Sequence, residues 1–158
     1  MKQSPSYHVM FATLADAAAI SQLICSNTDQ VTANAYSDAQ KEAWKKANTP
    51  ASIRKQMELR QILCCSEESV LVGVIGLKDQ EVVGLYVHPD HLRKGIGQYL
   101  LVQLEEYARD TGLLDLFLFA TPAGYPFYLR NGYQPIEEED VIVNEVVFRE
   151  TKMHKRLI

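Results

Sequence analysis

Apolar residues recur at helical spacing between Thr13 and Arg60 and at strand spacing from Gln61 onward, so the construction of the chain changes part-way along it. Tyr7–Phe11 predicts a first strand. Thr13 with Asp16 three positions on forms a helix-capping pattern, and Ala17, Ile20, Leu23 and Ile24 behind it fall on one helical face. A second cap, Ser37 to Gln40, opens a helix carrying Ala43, Trp44 and Ala47 that Pro50 ends. Ile53 and Met57, four apart, predict a third helical piece over residues 52–60. Residues 62–66, Val70–Lys78 and Glu81–Val87 are short, rich in β-branched residues and separated by polar turns, the pattern of an antiparallel meander.

Between Glu81–Val87 and the next helical run lies Asp90 to Leu101, which sets Arg93 and Lys94 before the glycines Gly95 and Gly97. The helix that follows places Ile96, Leu100, Leu101, Leu104, Tyr107 and Ala108 on one side and Gln98, Gln103, Glu105, Glu106 and Arg109 on the other, with Gly112 as its C-terminal stop. A helix start carries backbone N–H groups without intrahelical partners and the positive end of the helix dipole, so this loop is an anion cradle. Residues 113–120, nearly all apolar, predict a strand buried on both faces. Thr121-Pro122 then opens a helix through Tyr125, Phe127 and Tyr128 to Asn131-Gly132, and residues 141–148 form a last strand. Helices and short strands alternate in the pattern of an α/β sandwich of mixed strand direction.

At 158 residues the chain fits a single domain, 1–158, and a domain of this size buries about two thirds of its unfolded-chain surface. Cys25 and the adjacent pair Cys64-Cys65 make no C-x-x-C and predict small apolar core residues in a reducing compartment. No apolar run approaches the ~20 residues that span a bilayer, and Met1-Lys2-Gln3-Ser4-Pro5 has no apolar segment behind its lysine. The expectation is a soluble, cytoplasmic protein without a membrane partner. A net charge of -4 opposes a generally basic nucleic-acid surface and leaves room for a local positive pocket.

The cradle by itself suits a nucleotide as well as any other phosphate ligand. A dinucleotide fingerprint needs a third glycine where Leu100 stands, and a Walker loop needs a Gly-Lys-Ser/Thr that is absent. The strand Leu85-Tyr86-Val87, the loop Arg93-Lys94-Gly95-Ile96-Gly97 and, some thirty residues later, Phe127-Tyr128-Leu129-Arg130-Asn131-Gly132-Tyr133 resemble, in that order, the acetyl-CoA half of the GCN5-related N-acetyltransferases, the GNAT superfamily. Residues 70–135 carry most of the likeness. Leu92 departs from it, standing where the family usually has Gln or Arg, so the anion contacts expected here come from backbone N–H groups.

The resemblance implies a mixed, mostly antiparallel central sheet flanked by helices. It implies acetyl-CoA as cosubstrate, no metal, and transfer to a primary amine by direct attack in a ternary complex. Leu85, Tyr86 and Val87 would grip pantetheine through the main chain, and Arg93, Lys94, Gly95, Ile96, Gly97 and Gln98 would hold the phosphates. A backbone N–H near Leu85 would polarise the thioester carbonyl, a role worth about 3 kcal/mol per donor. Tyr128 stands at the place of the general acid toward the departing thiolate, with aromatic packing as the alternative. Glu81 is the candidate base. Period 2 puts it on the face of Leu85 unless a bulge intervenes, and its alternative is a surface carboxylate beside the turn.

For the acceptor, a small-molecule or peptide amine, Tyr36, Trp44 and Tyr125 are the candidate lining. The stretch from Asn34 to Trp44 resembles a Tyr-Ser-x-x-Gln-x-x-x-Trp segment of a bacterial GNAT subgroup, although Trp44 also suits a core position. The pair His88 and His91 lacks a third ligand at metal spacing. The rival readings are a GNAT-like module that binds acyl-CoA without catalysis and an enzyme using another acyl group or acceptor. Residues 141–148 offer an edge for a homodimer.

Overall fold

The computed structural model describes residues 6–30 and 35–158. The N-terminal stretch Met1 to Pro5 and Asn34, which opens the tyrosine-serine segment, lie outside the described residues. Strands β1 (Tyr7–Phe11), β2 (Gln61–Glu67), β3 (Val70–Lys78), β4 (Glu81–Val87), β5 (Asp115–Ala120), β6 (Gln134–Val143) and β7 (Val146–Arg156) form one sheet in the order β1-β2-β3-β4-β5-β7-β6. Every neighbouring pair is antiparallel except β4 with β5, which run parallel. Helix α4 (Ile96–Asp110) covers one face with a core of Leu100, Leu101, Leu104, Leu116, Leu118 and Met153. Helices α1 (Ala17–Gln30) and α3 (Pro50–Gln56) cover the other over Ile20, Ile24, Ile53, Ile62 and Val74. Helix α2 (Asp38–Ala47) reaches across to the β6–β7 hairpin, where Gln40 Nε2 donates to Val147 O and Asn144 Nδ2 to Ala43 O.

Local chemistry explains most boundaries. Ser37 accepts from Gln40 N while Gln40 Oε1 accepts from Ser37 N, a reciprocal cap for α2. Pro50 follows the end of α2 and also occupies the first position of α3, where its missing N–H is not needed, so α3 begins earlier than the periodicity of residues 52–60 suggests. The strand expected over residues 141–148 is instead the tip of a hairpin: Asn144 and Glu145, at φ 45° and 66°, make a turn between β6 and β7. The helix expected from Thr121-Pro122 starts later, as the short α5 (Tyr125–Arg130), after a turn in which Gly124 N donates to Thr121 O. In β5, Leu116, Leu118 and Ala120 are buried while Asp115, Phe117 and Phe119 are half-buried, so the strand is fully covered on one face only.

One residue of the supposedly polar side of α4 is in the core. Glu105 is 4% exposed, accepts from the Tyr133 hydroxyl at 3.1 Å and pairs with Lys155 Nζ at 2.7 Å. Lys155 Nζ also donates to Asn131 O, the carbonyl just past the end of α5.

Candidate active site

The site begins with a defect in β4. Gly76 pairs with Val83 and Val74 with Tyr86, so three steps along β4 oppose two along β3, and the extra residue bulges at Gly84, whose φ is 69°. The bulge reverses the side-chain alternation. Val82, Leu85 and Val87 pack toward α4, whereas Tyr86 packs toward α1 and α3. Glu81, adjacent to Val82, therefore lies on the face opposite Leu85, not on the shared face that unbroken alternation requires.

Past the bulge, β4 leaves β5. The two strands pair at Glu81 with Phe117 and Val82 with Leu118, and the register stops there. His88 N donates to Val72 O and Tyr86 pairs with Val74, so the backbone groups of Leu85 and Val87 point the other way, into the split. Asn27 Nδ2 of α1 already donates to one of them, Val87 O, at 2.8 Å.

At the end of β4, His88 Nδ1 accepts from Asp90 N and closes a tight turn. Arg93 and Gly95 take left-handed φ values of 61° and 80°, and Gly95 caps the 15-residue α4. A side chain built on Gly95 would meet open space, so its glycine serves conformation. Arg93, Lys94 and Gln98 are exposed around this helix start, while the Ile96 side chain is 1% exposed in the core and offers the loop only its main chain. Leu92, at the rim, adds no charge.

A cavity of about 610 Å³ opens between the split and the helices. It gathers Glu81, Leu85, Tyr86, Val87, Gly97, Tyr128, Tyr36 and Trp44 in its walls. Trp44 also packs against Phe148 and near Tyr86, with ring centroids 5.3 and 6.5 Å apart, so it is at once a core residue and a wall. Tyr125 packs against the α4-side core and is outside the cavity lining, as are Arg93, Lys94, Gly95, Ile96 and Gln98.

The same cavity contains a carboxylate that sequence reasoning passed over. Glu81, Phe117 and His154 lie on one rung across β4, β5 and β7, and four residues on in β5 and four back in antiparallel β7 come Thr121 and Glu150. Glu150 therefore shares a face with Glu81 and lines the same cavity as Leu85. It is 7% exposed, and burial, reinforced by the nearby Glu81 carboxylate, pushes its pKa up to about 7. Its neighbours respond: the Tyr36 phenol is pushed up to about 12 and the Tyr128 phenol well above its usual range, each chiefly by burial and further by Glu150. Half-burial raises Glu81 as well, against the pull of Lys78, Arg60 and Lys152. The available signal was that Glu150 is two residues beyond Phe148 on an alternating strand, on the inward face of that phenylalanine.

Residues 32–157 match the family model for the acetyltransferase (GNAT) domain. The chain belongs to the GNAT acetyltransferase family. It is 30% identical over 122 residues to the spermidine N(1)-acetyltransferase of Thermoplasma acidophilum, spanning 68% of this chain and 75% of that protein. In structure it resembles a GCN5-related N-acetyltransferase from Rhodopseudomonas palustris, with a TM-score of 0.90 and 28% identity over 99% of this chain and 98% of the other. The PaiA N-acetyltransferase of T. acidophilum, solved in complex with coenzyme A, shares the fold at TM-score 0.79 and 23% identity, over 96% and 99% of the two chains. This GNAT acetyltransferase places its split strand and buried acid around one cavity, which the start of α4 borders at Gly97. Among the described residues no helix is long and apolar enough to cross a membrane.

Proposed function

We propose that this enzyme transfers an acetyl group from acetyl-CoA to a primary aliphatic amine by direct attack within a ternary complex. The observation that carries the reading is Glu150, a buried carboxylate half-ionised near neutrality, in the same cavity as the split-facing backbone of Leu85 and the Tyr128 side chain. Acetyl-CoA supplies an activated acyl group and a thiolate leaving group. Backbone groups of Leu85 and Val87 suit the amides of its pantetheine arm, which would lie in the split as an added strand. The free N–H groups at the start of α4, with Arg93 and Lys94 beside Gly95 and Gly97, suit its phosphates. Ile96 and Gln98 contribute main chain to the same turn.

An aliphatic ammonium, with a pKa near ~10.4, must lose a proton before it attacks. Glu150 receives it, since a carboxylate raised to about 7 is a stronger base than an ordinary one. Glu81, further along the same face, biases Glu150 by its charge and draws the ammonium in. Tyr128, kept protonated by burial, donates to the departing thiolate. Tyr36 and Trp44 form the aromatic wall on the acceptor side. The spermidine acetyltransferase relative supports a small aliphatic amine as the class of acceptor, and the chain acts in this reading without a covalent intermediate on Cys25, Cys64 or Cys65.

Release of CoA thiol with a panel of amines, spermidine included, tests the proposal. Acceptor-dependent release is expected, lowered roughly 100-fold in kcat by Tyr128→Phe. Tight acetyl-CoA binding with no acceptor-dependent release on any amine would show a binding module instead.

A further inference from the structure

Arg60, the residue just before β2, lines the cavity. A side chain on Gly76 would lie 3.6 Å from Arg60 Cδ, so the arginine stem passes over the space that glycine leaves on β3. Its Nε is buried without an acceptor, and among the described residues no hydrogen bond or ion pair reaches any nitrogen of the guanidinium. Glu81 and Tyr86 are near enough to favour its charge, and burial works against it. Arg60 is half-buried, with only Nε wholly out of water, and the planar fork of a guanidinium fits a carboxylate in two parallel hydrogen bonds.

The position of Arg60 separates two sources for such an anion. The phosphate cradle follows Val87, at the C-terminal end of β4, whereas the Arg60 stem lies over Gly76, the partner of Val83, before the bulge. The cosubstrate phosphates are therefore at the far end of the strand. Arg60 and Glu150 line the same cavity of about 610 Å³, and Glu81 is near enough to act on both, so a small molecule with its amine beside Glu150 can extend its other end toward Arg60. The charges agree: Glu81 and Glu150 suit an ammonium, Arg60 an anion, and the sum suits a zwitterion better than a polycation.

We propose that Arg60 receives a carboxylate on the acceptor, so that the acceptor is an amino-carboxylate carrying the acetylated amine and an acid in one molecule. This rests on the reading of the cavity as the site of amine acetylation. The test compares matched acceptors: lysine with cadaverine, γ-aminobutyrate with propylamine, and spermidine alongside, each with wild type, Arg60→Met and Arg60→Lys. In wild type the amino-carboxylate should exceed its carboxylate-free partner roughly 10- to 100-fold in kcat/KM, mostly through acceptor KM. Arg60→Met should abolish that preference while leaving the carboxylate-free amine and the KM for acetyl-CoA unchanged, and Arg60→Lys should keep part of it. A merely structural role would slow both members of a pair alike. Equal use of the two members by wild type, preference for spermidine, or equal loss in Arg60→Met overturns the assignment. Should Arg60→Met not fold, the wild-type comparison together with Arg60→Lys decides. Turnover without carboxylate preference defeats this inference alone, whereas no turnover with any amine defeats the proposed function and this inference with it.

Discussion

An ordinary glutamate, titrating near 4.5, is ionised almost completely at neutral pH, whereas Glu150, raised to about 7 chiefly by burial and then by Glu81, divides between its two forms there. The raised value has a sign for stability. Below 4.5 the folded and unfolded chains both carry the proton and the group makes no difference. Between 4.5 and about 7 the unfolded chain gives it up first, so unfolding releases a proton and stability falls as pH rises, with the full loss present above about 7. Glu150→Gln cannot ionise and should be about 3 kcal/mol more stable than wild type at pH 8 while matching it in acid, as urea titrations at the two pH values would read. A difference that does not change with pH would contradict the buried, raised carboxylate. Under the proposed function, the same substitution should flatten the rise of kcat/KM with pH through about 7, because the proposed proton acceptor is gone. Tyr128 was legible in the sequence because an aromatic pair before a glycine is a short, local signature. Glu150 was not, since the cavity that buries it is walled by residues such as Trp44 of α2 and Leu85 of β4, which are distant in sequence.

Helix α5 carries Tyr128 yet has no buried residue of its own, so elements around it hold it in place. Lys155 of β7 bonds the Asn131 carbonyl beyond its C-terminus and pairs with Glu105 of α4, and Tyr133 completes the group from below Tyr128, their ring centroids 5.8 Å apart. Removing one partner from such a group leaves a buried charge. Lys155→Met should lose about 3 kcal/mol of stability because Glu105 is left unpaired, and Glu105→Gln combined with Lys155→Met should lose less than the single change. Additive losses in a double-mutant cycle by chemical denaturation would show that the two act separately. The elements themselves were largely legible from periodicity and caps: β1, the meander β2 to β4, α1, α2 and α4 follow the apolar pattern. The misses have physical causes. Asn144-Glu145 turns a hairpin without glycine, so the apolar residues on either side of it, 141–143 and 146–148, read as one strand, and Glu105 has the period of a surface residue until Lys155 and Tyr133 arrive from the other end of the chain.

Across the whole molecule, β1 to β4 with α1 and α3 form one side of the sheet and β5, β7 and β6 the other, joined in the sheet by the short parallel register at Glu81 and Val82. The cavity widens along that seam, and the core under α4 spans it through Val82, Leu116 and Leu118. A ligand that lies in the split as an added strand therefore completes the sheet as well as filling a pocket. Under the proposed function, acetyl-CoA or CoA at about 100 times its Kd should stabilise the fold by about 2.7 kcal/mol. The location of the effect is the sharper expectation. The amides of Leu85 and Val87, which point into the split, should exchange hydrogen much more slowly with ligand bound, whereas those of Tyr86 and His88, already facing β3, should change little. Hydrogen-exchange measurements resolved to single amides separate the alternatives. Protection confined to the start of α4 would mean that phosphate contacts alone hold the ligand and that the split strand is not its bed, while alternating protection along β4 requires main-chain pairing, since side-chain contacts have no reason to follow a two-residue period.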